Sequence, residues 1–308
     1  MCYQEADPVT VIDATSSLDG LSFRPCVLYL GDCVEVMQRF PDESIDLAYA
    51  DPPYNLSRHG LKWSDRQGVG RRKAGGDYYM MKESWDRFEE SDYRRFSVEW
   101  LKEVERLLRP GGSLYVSCTY HNIGDLLVIL RGLGLKCLNV IVWEKTNPHP
   151  NLTRRMFTHS CEFVLFFAKG KKWTFDYEEM KRYSANGGQL RDVWRLPLCQ
   201  GAERMKGADG RAAHPTQKPQ ALLERIIRAS SRADDIVLDP FLGTGTTALV
   251  AQQLGRKWVG IENDRSYMSL SVERLNDMNV GLRKDDAHEK PKRGCTDRQR
   301  DSSRLSGF

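Results

Sequence analysis

Ile236-Val237-Leu238-Asp239-Pro240-Phe241-Leu242-Gly243-Thr244-Gly245-Thr246-Thr247 reads as a buried strand closing on an acid, a glycine-rich turn and the start of a helix. Residues 246–254 continue as that helix, and Trp258-Val259-Gly260-Ile261 follows as a second strand ending at Glu262. Strand, helix, strand in this order is the unit of a parallel sheet, and such sheets bind ligands at the carboxyl ends of their strands. Glu262 lies nineteen residues beyond Gly243, where a carboxylate can take both hydroxyls of a ribose. The third glycine of the dinucleotide fingerprint is missing, since Leu249 and Val250 stand where it would fall, and no lysine occupies the phosphate-loop position. The turn is poor for a pyrophosphate and good for a nucleoside without phosphate.

The other decisive string is Asp51-Pro52-Pro53-Tyr54, delivered by the strand run Ile45-Asp46-Leu47-Ala48-Tyr49-Ala50. It sets a carboxylate, a rigid backbone and an aromatic face side by side. An exocyclic amine on a nucleobase is a weak nucleophile because its lone pair is drawn into the ring. Accepting hydrogen bonds from both N–H groups, by Asp51 and a backbone carbonyl near Pro52, pulls that nitrogen toward a tetrahedral shape. The two prolines hold the carbonyl still, and Tyr54 offers a ring for an extruded base to stack upon. S-adenosylmethionine is the nucleoside cofactor that supplies a group such an amine can attack. Asp239, Phe241, Gly243, Gly245, Thr246 and Glu262 are its expected binding residues, together with Asp32, which ends the run Val27-Leu28-Tyr29-Leu30 and is placed either to accept from an adenine amine or to cap a helix. Asp32, Asp51, Asp239 and Glu262 all fall at predicted strand ends.

Between these strings the pattern alternates. A helix is expected over residues 88–108, stopped by Arg109-Pro110-Gly111-Gly112, then a strand over 113–118, a helix over 123–133, strands over 137–143 and 162–168, and a helix over 220–230. The expected fold is α/β, a doubly wound, mostly parallel sheet with an inserted target-recognition region. Its expected parts are an N-terminal arm (1–25), a catalytic half (26–168) with a long loop at 55–84, a recognition region (169–213), a cofactor-binding half (214–276) and a polar tail (277–308). A last helix is expected over 267–275, with disorder from residue 284.

In 308 residues, 40% apolar and 29% charged with net charge +4, nothing approaches a membrane span of ~18 apolar residues, and a cytosolic protein is expected. The eight cysteines form no Cys-x-x-Cys pair and the six histidines show no ligand spacing, so neither disulfide framework nor metal site is expected. Cys26 beside Pro25 is read as a buried small residue rather than a nucleophile, and His159 as either structural or near a base. The basic residues cluster: six against one acid over 55–76, and twelve against seven over 151–213. That distribution points to a polyanion, with Arg58, Lys62, Arg71, Arg72, Lys73, Arg154, Arg155, Lys171 and Lys172 the expected contacts.

Taken together and in this order, the strings resemble the β-group, circularly permuted amino-methyltransferases of DNA. The resemblance covers about residues 26–276 and includes Gly31-Asp32, Asp51 to Asn55, Arg109 to Gly112, Trp143-Glu144-Lys145-Thr146-Asn147, His214-Pro215-Thr216-Gln217-Lys218-Pro219 and Asp239 to Thr247. It implies that His214 to Pro219 lines the methionine end of the cofactor, with Thr216 or Lys218 near its carboxylate. It implies adenine N6 as the acceptor, because serine in place of Asp51 goes with cytosine N4. A compact member of a restriction–modification system is further implied, with DNA as substrate, a homodimer and a cognate endonuclease acting on the same site. Cytosine N4 is the alternative within the class. A catalytically silent DNA-binding module and a nicotinamide-dependent oxidoreductase are the alternatives outside it.

Overall fold

The computed structural model describes residues 8–55, 86, 88–148, 150–151, 155–207 and 210–286, the last nine as helix backbone only. Nine strands form one sheet: β1 (Thr10–Asp13), β2 (Val27–Leu30), β3 (Ile45–Ala50), β4 (Leu108–Cys118), β5 (Lys136–Lys145), β6 (Cys161–Ala168), β7 (Val193–Leu196), β8 (Ile236–Asp239) and β9 (Lys257–Glu262). Their order across the sheet is β1-β2-β9-β8-β3-β4-β6-β5-β7. All neighbours are parallel except β6, which runs against both β4 and β5. Among the described residues seven α-helices accompany them: α1 (Cys33–Met37), α2 (Glu90–Leu107), α3 (Ile123–Gly132), α4 (Tyr177–Lys181), α5 (Gln220–Ser230), α6 (Thr246–Gln253) and α7 (Arg265–Asp286).

Alternation along each strand divides the core into two layers. Val27 and Tyr29 of β2 face a cluster with α1, α2 and α3, including Trp100, Leu101, Val104 and Leu130. Leu28 and Leu30 face the opposite cluster, with Leu223, Ile227, Leu249 and Met268 of α5, α6 and α7. Helix α2 is amphipathic, burying Tyr93, Ser97, Trp100, Leu101, Val104 and Leu107. Helix α6 carries apolar residues all round and buries Thr246 to Ala251, because it lies in the centre of its layer. Gly245 at its start has φ +77°, a left-handed turn that glycine adopts without strain. Gly260 is needed for packing: a Cβ there would sit 2.7 Å from Leu242 Cδ2. Among the described residues no helix is long and apolar enough to cross a membrane.

Three expectations are corrected. The N-terminal arm contains β1, which extends the sheet by parallel pairing from Thr10↔Val27 to Asp13↔Leu30. Cys26 is exposed at φ 59°, because the turn into β2 points it away from the core that β2 enters. Within residues 169–213, β7 pairs with β5 and buries Trp194 and Leu196 in the main core, and α4 packs against α5. The last helix runs to Asp286, well into the segment expected as a tail. Met268 and Leu275 are buried within the span expected as helix, and the polar, charged sequence that follows carries no clear apolar period to mark its continuation.

Candidate active site

From β3 the chain passes to β4 on one side, while from β8 it passes to β9 on the other. The gap between β3 and β8 is therefore the topological switch point, where open α/β sheets form their crevice. Strands β2, β9, β8 and β3 are adjacent and parallel. Asp32, Glu262, Asp239 and Asp51 consequently stand in a row along one edge, and all four line a single cavity of about 310 Å³. The same cavity is lined by Pro52, Pro53, Tyr54, Thr216, Lys218, Phe241, Gly243 and Thr246. The two strings, some 190 residues apart, thus share one chamber.

Each acid is held differently. Asp32 caps α1, its Oδ1 accepting from the amides of Val34 (2.9 Å) and Glu35 (3.1 Å), so the capping alternative is realised while the residue still faces the cavity. Asp239 accepts from the Phe241 amide and the Thr247 hydroxyl, and burial raises its pKa to about 7. Glu262 accepts from three backbone amides, those of Gly243, Asn263 and Asp264, and burial outweighs them to raise its pKa to about 7. A carboxylate has about four lone-pair positions, so Glu262 keeps one for a further donor. Asp51 accepts from the Tyr54 hydroxyl at Oδ1 (2.6 Å) and from Lys218 Nζ at Oδ2 (2.5 Å). Burial raises its pKa and Lys218 opposes that rise.

The backbone after Asp51 is pinned from behind. Tyr93 donates to the Pro53 carbonyl (3.0 Å), and Asn122 donates to the Tyr93 hydroxyl (2.7 Å). The Asn55 amide donates to Asp86 (2.6 Å), and Asn55 accepts from the Phe88 amide (2.9 Å). In the segment before α5, Gln217 accepts from the Met205 amide and donates to the Glu203 carbonyl, which fixes the stretch Thr216 to Lys218 along the cavity it lines. His214 accepts from the Thr216 amide (3.2 Å), and burial beside Lys218 and Arg204 pushes its pKa down to about 4.

These residues fit a nucleoside-containing cofactor. Carboxylates for hydroxyl or amine donors stand beside an apolar wall of Phe241 and Ile261, and the turn that faces them has glycine at position 243, where a Cβ would come within 3.4 Å of His214 Nε2.

Of the expected DNA contacts, Arg58, Lys62, Arg71, Arg72, Lys73 and Arg154 lie outside the described residues, as does nearly all of the loop 55–84. Arg155 is exposed in the segment joining β5 to β6, on the Asp51 edge of the sheet. Lys171 and Lys172 are not brought to that edge. They follow β6, whose end at Ala168 pairs with Ser113 at the far end of β4, because β6 runs antiparallel. His159, expected as structural or near a base, belongs to an aromatic group on the near edge whose other members sequence reasoning missed: Tyr120 (52% exposed) stacks on it at 4.7 Å, with Phe157 96% exposed nearby in the chain. Sequence reasoning also gave no role to Glu162, read only as the start of a strand, or to Lys145, which entered only as part of the string Trp143 to Asn147. Their signal was charge inside apolar strands.

Residues 45–273 match the N6_N4_Mtase family, described as DNA methylase. The chain is 40% identical over 251 residues to the Type II methyltransferase M.HinfI of Haemophilus influenzae, spanning 80% of this chain and 67% of that one. It is 39% identical over 254 residues to the Type II methyltransferase M2.LlaDCHI of Lactococcus lactis subsp. cremoris, spanning 81% and 89%. The solved M1.HpyAVI–SAM complex superposes with a TM-score of 0.58 at 28% identity, covering 81% of this chain and 98% of its own.

Proposed function

We propose that this chain, which belongs to the N6_N4_Mtase family of DNA methylases and takes its methyl group from S-adenosylmethionine, methylates the N6 amine of adenine at a specific DNA site. The observation that carries the reading is the single cavity lined by both Asp51 to Tyr54 and the Gly243 turn. Asp51, in the position where cytosine-N4 members of the resembled group have serine, supports adenine. The catalytic string precedes the cofactor string in the chain, which supports the permuted, β-group arrangement. We take residues 26–168 as the catalytic half, 214–276 as the cofactor half, and 169–213 with the basic loop as the recognition parts. The description of its relatives as Type II methyltransferases supports a place in a restriction–modification system beside an endonuclease for the same site. The family likeness supports a homodimer.

When bound, S-adenosylmethionine supplies an electrophilic methyl group on a positively charged sulfur. Asp32, Glu262, Phe241 and the Gly243–Thr246 turn hold its adenosine end, and Thr216 lies toward its methionine end. Asp51, which also holds Tyr54 and Lys218, accepts an amine N–H. The Pro52 carbonyl, stiffened by the following proline, takes the other N–H. The nitrogen lone pair is thereby turned out of the ring plane toward the methyl carbon. With the cofactor bound, the S–C bond would break as N–C forms, leaving a neutral thioether, and the Asp51 carboxylate would stabilise the positive charge that grows on nitrogen. Asp51 then accepts the proton the methylated nitrogen gives up. Tyr54 supports the face of the base. Holding the two reactants in line accounts for much of the acceleration.

The test is incubation of purified protein with plasmid DNA and tritiated S-adenosylmethionine, followed by nucleoside analysis. N6-methyladenine is the expected product. N4-methylcytosine overturns the adenine reading, and no incorporated methyl overturns the catalytic one.

A further inference from the structure

Behind Asp51 lies a row of alternating charges inside the protein. Lys145 Nζ is 2.7 Å from Glu162 Oε1, Lys218 Nζ is 3.8 Å from Glu162 Oε2, and the same Lys218 Nζ is 2.5 Å from Asp51 Oδ2. The Tyr54 hydroxyl, bonded to Asp51, is also 3.5 Å from Glu162 Oε2. All four ionic side chains are 15% exposed or less. Asp51, Tyr54 and Lys218 line the cavity, whereas Glu162 and Lys145 do not. Burying such a row is costly and stabilises little compared with apolar packing, so its retention beside the reacting amine calls for a role.

Lys218 has two carboxylates within reach and bonds the nearer. That bond occupies Oδ2 of the very residue that must receive the amine. We propose that Glu162, backed by Lys145, is a positioning residue that gives Lys218 a second anchor. Without a base in the cavity the ammonium rests on Asp51; arrival of the amine moves it the short distance to Glu162 and opens Asp51 Oδ2. This rests on the reading of Asp51 as the amine's acceptor. No covalent bond changes and no proton is transferred in the shift: one N–H···O bond is exchanged for another, and Lys218 stays charged. Lys145 sets the balance. By neutralising part of Glu162 it keeps that carboxylate from holding Lys218 permanently. The two lysines keep Glu162 ionised, holding its pKa below the ordinary carboxylate value against the effect of burial.

The groups facing this row are Tyr49, Asp51 and Tyr54 from β3 and its end, Cys118 of β4, Lys145 of β5, Glu162 of β6, Asp239 of β8, and His214 and Lys218 before α5. Glu162→Gln removes a like charge and leaves Lys218 only Asp51, so Asp51 should become more acidic. Lys145→Met leaves Glu162 uncompensated and draws Lys218 away, so Asp51 should become less acidic.

The experiment is single-turnover methyl transfer to cognate duplex across pH, read as tritium incorporated, with cofactor affinity by calorimetry and folding by thermal melts. Glu162→Gln is expected to lose roughly 100-fold in rate with cofactor affinity unchanged, and the acid limb of its pH–rate profile should move to lower pH. Lys145→Met should move that limb to higher pH. A parental rate for Glu162→Gln, or limbs that move the same way in both variants, would overturn the proposal. If Glu162→Gln does not fold, Lys145→Met decides alone: a limb moved upward supports the proposal and an unmoved limb overturns it. Tritium counts are independent of whether adenine or cytosine carries the amine, so this result stands apart from the product analysis above.

Discussion

The Glu262 carboxylate accepts a hydrogen bond from the Gly243 amide at 2.7 Å, tying the end of β9 to the glycine turn after β8. Two further amides, at Asn263 and Asp264, converge on its other oxygen at 2.9 Å. One side chain therefore shapes the turn and faces the cofactor chamber. Glu262→Ala is expected to weaken S-adenosylmethionine binding by roughly 1.5–3 kcal/mol, the range for a hydrogen bond to a charged group, and to lower unfolding stability as well. Glu262→Gln keeps one acceptor oxygen and should lie between. Calorimetry and denaturant unfolding check both, and unchanged affinity in folded Glu262→Ala removes Glu262 from the cofactor site.

Asp51→Ala strands a buried ammonium. Breaking a buried pair from one side costs about 3–5 kcal/mol, reduced here because Glu162 stands 3.8 Å from Lys218. Asp51→Asn keeps an acceptor oxygen and should cost less stability. Both should abolish methyl transfer and leave cofactor binding largely intact. Adding Lys218→Met to Asp51→Ala should restore stability without restoring activity. Thermal melts beside a methyl-transfer assay separate the two effects; a double variant no more stable than Asp51→Ala would count against the pair.

Tyr54 joins ring and hydroxyl in one residue. Tyr54→Phe keeps a surface for the base but loses the 2.6 Å bond to Asp51, so its single-turnover rate should fall between those of the parent and Tyr54→Ala. The alanine variant additionally loses stacking of about 1–3 kcal/mol. Equal rates for the two variants would leave the ring no part in holding the base.

His214 has its pKa lowered from 6.5 to about 4, by burial first and by Lys218 and Arg204 next. Between those values the unfolded chain binds a proton that the folded protein refuses. Stability from this residue is therefore penalised at low pH, and the penalty disappears as pH rises through 6.5. Denaturant unfolding at pH 4.5 and pH 7 should show the parent losing more stability on acidification than His214→Gln. Equal losses would show that His214 protonates freely in the folded state.

Much of the site could be read from residue order alone. Strand ends marked by Asp51, Asp239 and Glu262, prolines that stiffen, and glycines that turn are local signals, carried by a few consecutive residues. The edge strand β1 escaped because four residues with mostly exposed side chains, Thr10 to Asp13, carry no burial pattern. The start of α7 was legible over 267–275, but its continuation to Asp286 was not, because the residues that follow are mostly polar and charged.

The sequence by itself determined that a carboxylate–proline–proline–tyrosine string and a glycine turn would each end a strand of a doubly wound sheet. Only the tertiary structure decided that they open into the same cavity, since that depends on β3 and β8 becoming neighbours across the sheet. It also decided the partner of Asp51. Lys218 lies 167 residues away in the chain and Glu162 stands on an antiparallel strand two places across the sheet. Strand register set those distances, and register comes from packing side chains on both faces of the sheet at once, which no local period of residues encodes.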